Sequence, residues 1–358
     1  MIKGFDMSAL ARIYELGGKY YENGEEKNAI EIVKNNGANL IRLRIFNDPY
    51  SINKKEYGGG ICDISYLKRN VDYCEKYQIP YLLDFHYSDF WADPGKQTMP
   101  KAWIGKSVDE LVEEIYDFTY FVLNNLSYRP TMVQIGNEIT NGMLWPIGDT
   151  EHFDNLVSFV NSGIKAVNDF DSNIKTMIHL DNGTNEELYD TWFEKYFNNG
   201  GMDFDYIGMS YYQIWNKGLR FLEDNIIKTI DKYHKKVIIA ETSYPFTIDD
   251  YKENIPDNQR KGMALKKELI PNLEFDISRQ GQCDYFDSLG KLIKRIDDLE
   301  GFIYWGSELI PYDGSGWATY EGIEYVKEKG PLGNEWANQA IFDYDGQTLP
   351  VLNAIKKL

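Results

Sequence analysis

Eight short apolar runs rich in β-branched and aromatic residues recur along the 358-residue chain, at residues 2–8, 40–46, 81–87, 132–138, 176–182, 206–212, 237–243 and 301–307. Each has the length of a buried strand, and longer amphipathic stretches separate them. Helices are expected at residues 25–36, ending at Gly37; at 66–77, before Pro80; and at 107–126, which opens with acidic residues. Strands alternating with helices imply a parallel sheet, and eight of them close into a barrel. The expected fold is therefore α/β, a (β/α)8 TIM barrel forming a single domain over residues 1–358. The runs recur at roughly 30 to 60 residues without self-similarity, unlike a solenoid or propeller. A dinucleotide-binding fold would need G-x-G-x-x-G after the first strand, whereas Gly58, Gly59 and Gly60 fall in a polar loop beyond the second. The least regular stretch, residues 245–276, reads as a long loop with a short helix.

Charge narrows the partners. Lys and Arg number 38 against 56 Asp and Glu, a net charge of -18 that repels phosphate backbones and anionic lipid. Neither nucleic acid nor a membrane is an expected partner, and no run approaches the 18 or so apolar residues of a membrane span. Aromatic residues make up 15% of the chain, more than packing alone requires, and suit a flat neutral ligand such as a sugar. Cys62, Cys74 and Cys283 are too few and too scattered for a disulfide framework or a structural zinc site. With no leader evident before Gly4, they suggest a cytoplasmic location.

Active sites of such barrels form at the C-terminal ends of the strands. The run ends are unusually polar: Arg42 and Arg44 on the second, Asp84 and His86 on the third, Asn137 and Glu138 on the fourth, Asp181 on the fifth. Tyr211 and Tyr212 end the sixth, Glu241 the seventh, and Tyr304 and Trp305 the eighth. Glu138 and Glu241 thus approach one mouth from opposite sides. Glycoside hydrolysis uses such a pair, one carboxyl protonated for the leaving oxygen and one ionised at the anomeric carbon. An arginine such as Arg44 would keep the second ionised. The bland alternative is that each glutamate caps the helix after it. The other histidines, His152, His179 and His234, show no metal-ligand spacing. His179 precedes a strand end and can point either way, while Trp192 reads as core.

The tracts from Asp84 to Pro94, Gly136 to Glu138, Glu241 to Tyr244 and Gly314 to Ala318 resemble glycoside hydrolase family 53, whose members are endo-β-1,4-galactanases. The likeness runs from Lys3 to Asp343. It implies a retaining mechanism with Glu138 as acid/base and Glu241 as nucleophile. It also implies that Asn137 bonds the sugar 2-hydroxyl, and that Arg44, His86 and Tyr211 or Tyr212 surround the nucleophile. Trp305 would be the sugar platform, with Trp91 and Trp317 at flanking subsites. The implied substrate is β-1,4-galactan, type I arabinogalactan or a galacto-oligosaccharide.

Two features depart from that pattern. Leu309 stands where many bacterial members have a tryptophan, and only Tyr312 and Asp313 separate Pro311 from Gly314, a shortened loop. Bacterial relatives often hold a structural calcium after strand seven in a glycine-rich Asp and His cluster. Here Asp249, Asp250 and Asp257 have no such company and read as a solvated acidic loop. No cofactor or metal is expected to be required. The competing readings are a related retaining glycosidase acting on mannan, glucan or xylan, and a non-catalytic carbohydrate-binding barrel. The latter would be expected to have lost one of the two glutamates.

Overall fold

The computed structural model describes residues 1–251, 263–327 and 333–358. Eight parallel strands close into a barrel: β1 Ile2–Asp6, β2 Leu40–Ile45, β3 Tyr81–Phe85, β4 Met132–Ile135, β5 Lys175–Leu180, β6 Tyr206–Ser210, β7 Lys236–Thr242 and β8 Leu299–Tyr304. Each strand pairs with its neighbours in sequence, and β1 closes the ring between β8 and β2. Closure brings two backbones together at Gly301, where a Cβ would lie 2.0 Å from the Ile2 carbonyl oxygen. Only glycine allows that approach.

All eight strand expectations hold, but the strands end up to three residues before the apolar runs do. The polar tips leave the ladder because Tyr87, Gly136, Glu138, Asn182 and Gly306 adopt positive φ, which breaks strand pairing. The tips are therefore free to aim side chains across the mouth.

Helices ring the barrel, in chain order α1 Leu10–Glu15, α2 Ala29–Asn35, α3 Ile64–Lys76, α4 Val108–Asn124, α5 Phe153–Phe170, α6 Glu186–Asn198, α7 Leu219–Tyr233, α8 Arg279–Arg295, α9 Tyr320–Val326 and α10 Val351–Lys357. α4 starts at a capping box between Ser107 and Glu110, and α3 at Asp63, whose carboxylate accepts from two backbone amides. Each such cap contributes roughly 1 kcal/mol. The helix expected at 25–36 is shorter than its pattern. Residues 25–27 pair with Tyr20–Glu22 as a hairpin, and Asn28 caps α2 by accepting from the Ile30 amide.

The main core lies between barrel and helices, while Leu40, Leu82, Met132, Met177, Ile238, Ala240 and Ile303 fill a second one that includes inward-facing barrel residues. Burying each of these larger side chains stabilises the fold by roughly 1.5–3 kcal/mol. Trp192 belongs to the main core, stacked on Tyr196. Of the irregular stretch at 245–276, the described part includes a 3-10 turn at Lys267–Asn272, and residues 252–262 lie outside the described ones. Among the described residues no helix is long and apolar enough to cross a membrane.

Candidate active site

A third cluster, rich in aromatic rings, covers the C-terminal mouth of the barrel and includes Phe46, Phe90, Trp91, Tyr212 and Trp305. A cavity of about 540 Å³ opens into it, and both Glu138 and Glu241 line that cavity. Glu138 follows β4 with φ +47°, a left-handed conformation that costs about 1–3 kcal/mol at a non-glycine residue unless its surroundings hold it. The buried Gln97 amide does so by donating to the main-chain carbonyls of Asn137 at 2.9 Å and Glu138 at 3.4 Å. The Glu138 carboxyl makes no capping bond to the short turn Ile139–Asn141, so the bland alternative fails for it.

Glu241, next to last in β7, is held at both oxygens. Arg42 Nη1 donates to Oε1 at 2.7 Å, and the Tyr212 hydroxyl donates to Oε2 at 2.8 Å. The same guanidinium reaches Asn137 Oδ1 at 2.8 Å, Asp84 Oδ2 at 2.9 Å and Asp6 Oδ2 at 3.4 Å. Breaking such a buried network at one partner costs about 3–5 kcal/mol. His86 completes it: its Nδ1 accepts from the Ala92 amide at 3.0 Å, which leaves Nε2 to donate to Asp84 Oδ2 at 3.1 Å.

The two carboxyls differ in electrostatics because their neighbours differ. Burial raises the Glu241 pKa, against opposition from the Arg42 charge and the Tyr212 and Arg42 hydrogen bonds. Burial raises Glu138 well above the ordinary carboxyl range, and the nearby Glu241 and Asp181 charges add to the rise. Asp84 shows the opposite balance, with burial outweighed by Arg42 and His86 so that its pKa falls. Burial lowers the pKa of both His86 and His179, so each imidazole is neutral near pH 7.

The expectations that Arg44 and His86 meet the nucleophile are corrected here, and of the two tyrosines Tyr212 is the one that does. The guanidinium on Glu241 is that of Arg42, not Arg44. Both point inward because they are two residues apart on one strand, but the arginine is long enough to span about two strand residues, so the deeper one reaches the mouth. Arg44 instead ties to Asp6 at 3.7 Å and the Gly59 carbonyl at 2.9 Å, with its guanidinium carbon 3.9 Å from the Trp91 ring centre. Tyr211 alternates to the outside of the barrel and stacks on Tyr285, leaving Tyr212 at Glu241. His86 contacts Asp84, and among the described residues its link to Glu241 runs through Asp84 and Arg42.

The other expected residues converge. Trp305, Trp91, Trp317, Asn137 and Asp181 all line the cavity, and Trp91 and Trp317 stack in parallel 5.7 Å apart. Trp215 and Trp336 line it too and were not expected. Trp215 lies three residues beyond Tyr212 and is 56% exposed, a position that run-end reasoning could have reached. Trp336 arrives from the chain after α9 to pack edge-on against Trp305, with ring centres 4.9 Å apart, and no local pattern marks it. Leu309 is half-buried beside Gly306. Asp249 and Asp250 are exposed, and Asp257 lies outside the described residues.

A closed eightfold barrel with two buried carboxyls in an aromatic cleft, one pinned by cation and phenol and one whose pKa burial and neighbouring carboxylates raise, has the makings of a glycoside hydrolase. Residues 2–355 match glycosyl hydrolase family 53, and the chain belongs to that family. It is 31% identical to an endo-β-1,4-galactanase of Bacillus subtilis (strain 168), over 99% of this chain and 85% of that one. The solved GH53 catalytic domain of Ignisphaera aggregans superposes with a TM-score of 0.89 at 38% identity, covering 99% of this chain and 95% of that one. A fungal β-1,4-galactanase structure gives 0.80 at 25% identity, covering 100% and 99%.

Proposed function

We infer that this enzyme hydrolyses β-1,4-galactosidic bonds in galactan and galacto-oligosaccharides with retention of configuration, Glu241 acting as nucleophile and Glu138 as acid/base. The observation that carries the assignment is the double donation of Arg42 and Tyr212 to Glu241, which keeps that carboxylate ionised and aimed. Glu138 has carboxylates for neighbours and holds its proton until the leaving oxygen takes it. The Glu241 carboxylate then bonds the anomeric carbon as the glycosidic bond breaks. Glu138, now ionised, takes a proton from water as that water displaces the enzyme. Trp305, set between Trp91, Tyr212 and Trp336, offers an apolar face to the sugar ring at the cleavage point. No metal enters these steps.

Oligosaccharides inside a reducing cytoplasm are the setting we propose, because Cys62, Cys74 and Cys283 are all buried and unpaired. The test is a product profile on β-1,4-galactan, galacto-oligosaccharides, mannan, β-glucan and xylan, with NMR of the first-formed anomer. Galactan products released as β-anomers support the assignment. Faster cleavage of mannan or xylan, or α-anomers, would overturn it. A cytoplasmic origin predicts three titratable thiols in protein taken from its native host.

A further inference from the structure

Glu138 is held from below by a chain of hydrogen bonds that the mechanism above does not use. Ser210, the last residue of β6, has its hydroxyl 2.6 Å from Glu138 Oε1. His179 on β5 is fully buried, with Nε2 2.9 Å from Ser210 Oγ and Nδ1 3.1 Å from Gln134 Nε2. The proton positions follow from donor and acceptor chemistry. The Gln134 amide nitrogen also lies 2.7 Å from Asp84 Oδ1 and 3.0 Å from the Gly136 carbonyl, both pure acceptors, so the nitrogen and not the oxygen must face this cluster. One of its two hydrogens goes to Asp84 Oδ1, and the other is shared between the Gly136 carbonyl and His179 Nδ1. Asn137 Oδ1 lies 3.1 Å from that ring nitrogen too and keeps a lone pair besides the one facing Arg42, so the tautomer is set at the other end of the ring: ionised Glu138 only accepts, Ser210 donates to it, and the Ser210 oxygen is left to accept from Nε2. The neutral ring therefore carries its hydrogen on Nε2 and donates to Ser210, whose own hydrogen is left for Glu138 Oε1.

Oε1 is thus occupied as an acceptor, whereas no protein group among the described residues is hydrogen-bonded to Oε2. On the assignment of Glu138 as acid/base made above, we infer that Ser210 and His179 are positioning residues that reserve Oε1 as an acceptor and so place the transferable proton on Oε2, the oxygen open to the cleft. The same chain runs on through Gln134 and Asp84 to Arg42 and hence to Glu241. Nucleophile and acid/base are therefore ends of one hydrogen-bonded network, which fixes their mutual aim.

Substitution of Ser210 tests this. Ser210→Ala should lower kcat/KM about ten-fold on oligosaccharides and on aryl galactosides with poor leaving groups, and hardly at all on a dinitrophenyl galactoside that needs no proton. Because Ser210 donates to the ionised form, its loss should move the basic limb of the pH profile upward. The charged and titratable groups facing Glu138, namely Glu241, Arg42 and Tyr212 across the mouth, Asp181 beside it, Asp93 and buried Tyr189, are unchanged in the variant. Ser210→Thr, which keeps the hydroxyl, should restore both readouts. An equal loss on every leaving group with an unmoved basic limb would overturn the inference, as would failure of the threonine to rescue. Glu138→Ala run alongside separates the two levels. If it shows steep leaving-group dependence and Ser210→Ala does not, the positioning role alone falls, and if Glu138→Ala shows none, the acid/base assignment falls with it.

Discussion

The two sides of the mouth hold the same functional group in opposite surroundings. On the β2 and β7 side, Glu241 faces a guanidinium and a phenol, and each of its oxygens accepts one hydrogen bond. On the β4, β5 and β6 side, Glu138 receives one hydroxyl at one oxygen, and the charges that bear on it most, Glu241 and Asp181, are carboxylates. Both are buried, so burial alone separates nothing. The difference in partners divides the labour, in the way that two carboxyls of one glycosidase take different roles by environment. Arg42 carries that difference because one buried cation serves Asp6, Asp84, Asn137 and Glu241 together.

Removing either carboxyl should have the largest effect. Glu241→Ala is expected to lose roughly 10⁴-fold or more in kcat on every substrate, and Glu138→Ala about 10²–10⁴-fold on galactan but much less on activated aryl galactosides. Steady-state rates on both substrate types would show whether the asymmetry is real. Next in size is the arginine contrast. Arg42→Lys keeps the charge but not the fork of donors, and should cost about 10²-fold in kcat/KM. It should also shift the acidic limb upward, since Arg42 is what opposes the burial-driven rise of Glu241. Arg44→Lys should cost less than about ten-fold, expressed in KM, through loss of its stacking on Trp91. Equal losses for the two would break the comparison.

A smaller effect lies behind the site. Glu308 is buried beside Asp6, and burial and that charge push its pKa up from 4.5 to about 8. A carboxyl raised in the folded state contributes stability that is complete below its unfolded pKa and is lost as pH climbs through the folded one. The protein should therefore lose up to about 1.4 kcal/mol per pH unit across that window, and Glu308→Gln should not. Urea midpoints of both at pH 5 and pH 9 measure this. The smallest expected change is with EDTA, which should move neither activity nor melting temperature. A fall of many degrees would place a bound ion in the fold.

The barrel was legible from residues alone because its strands are apolar on both faces and its helices carry capping residues such as Asp63 and Ser107. The carboxyl pair was legible because strand tips carry barrel chemistry. What escaped was reach and direction beyond the strand. Arg42 and Arg44 share a face, and only three-dimensional register shows which one meets Glu241. Tyr211 and Tyr212 differ by one residue, and the register shift between β6 and β7 at Met209 and Ser210 places them. His179 could point either way and nothing marked Ser210, since their meaning lies in a chain of contacts across four strands. Trp336 depends on where the chain after the last barrel helices returns, which no local pattern encodes.

The division of roles is tested most directly by azide rescue of the two glutamate variants, with the anomer of the product read by NMR. Glu138→Ala still forms the covalent intermediate on Glu241, so azide should displace it from the open face and give the β-galactosyl azide. Glu241→Gly leaves a gap on the other face, where azide should attack an activated substrate directly and give the α-galactosyl azide. The opposite pair of anomers would contradict the account and exchange acid for nucleophile.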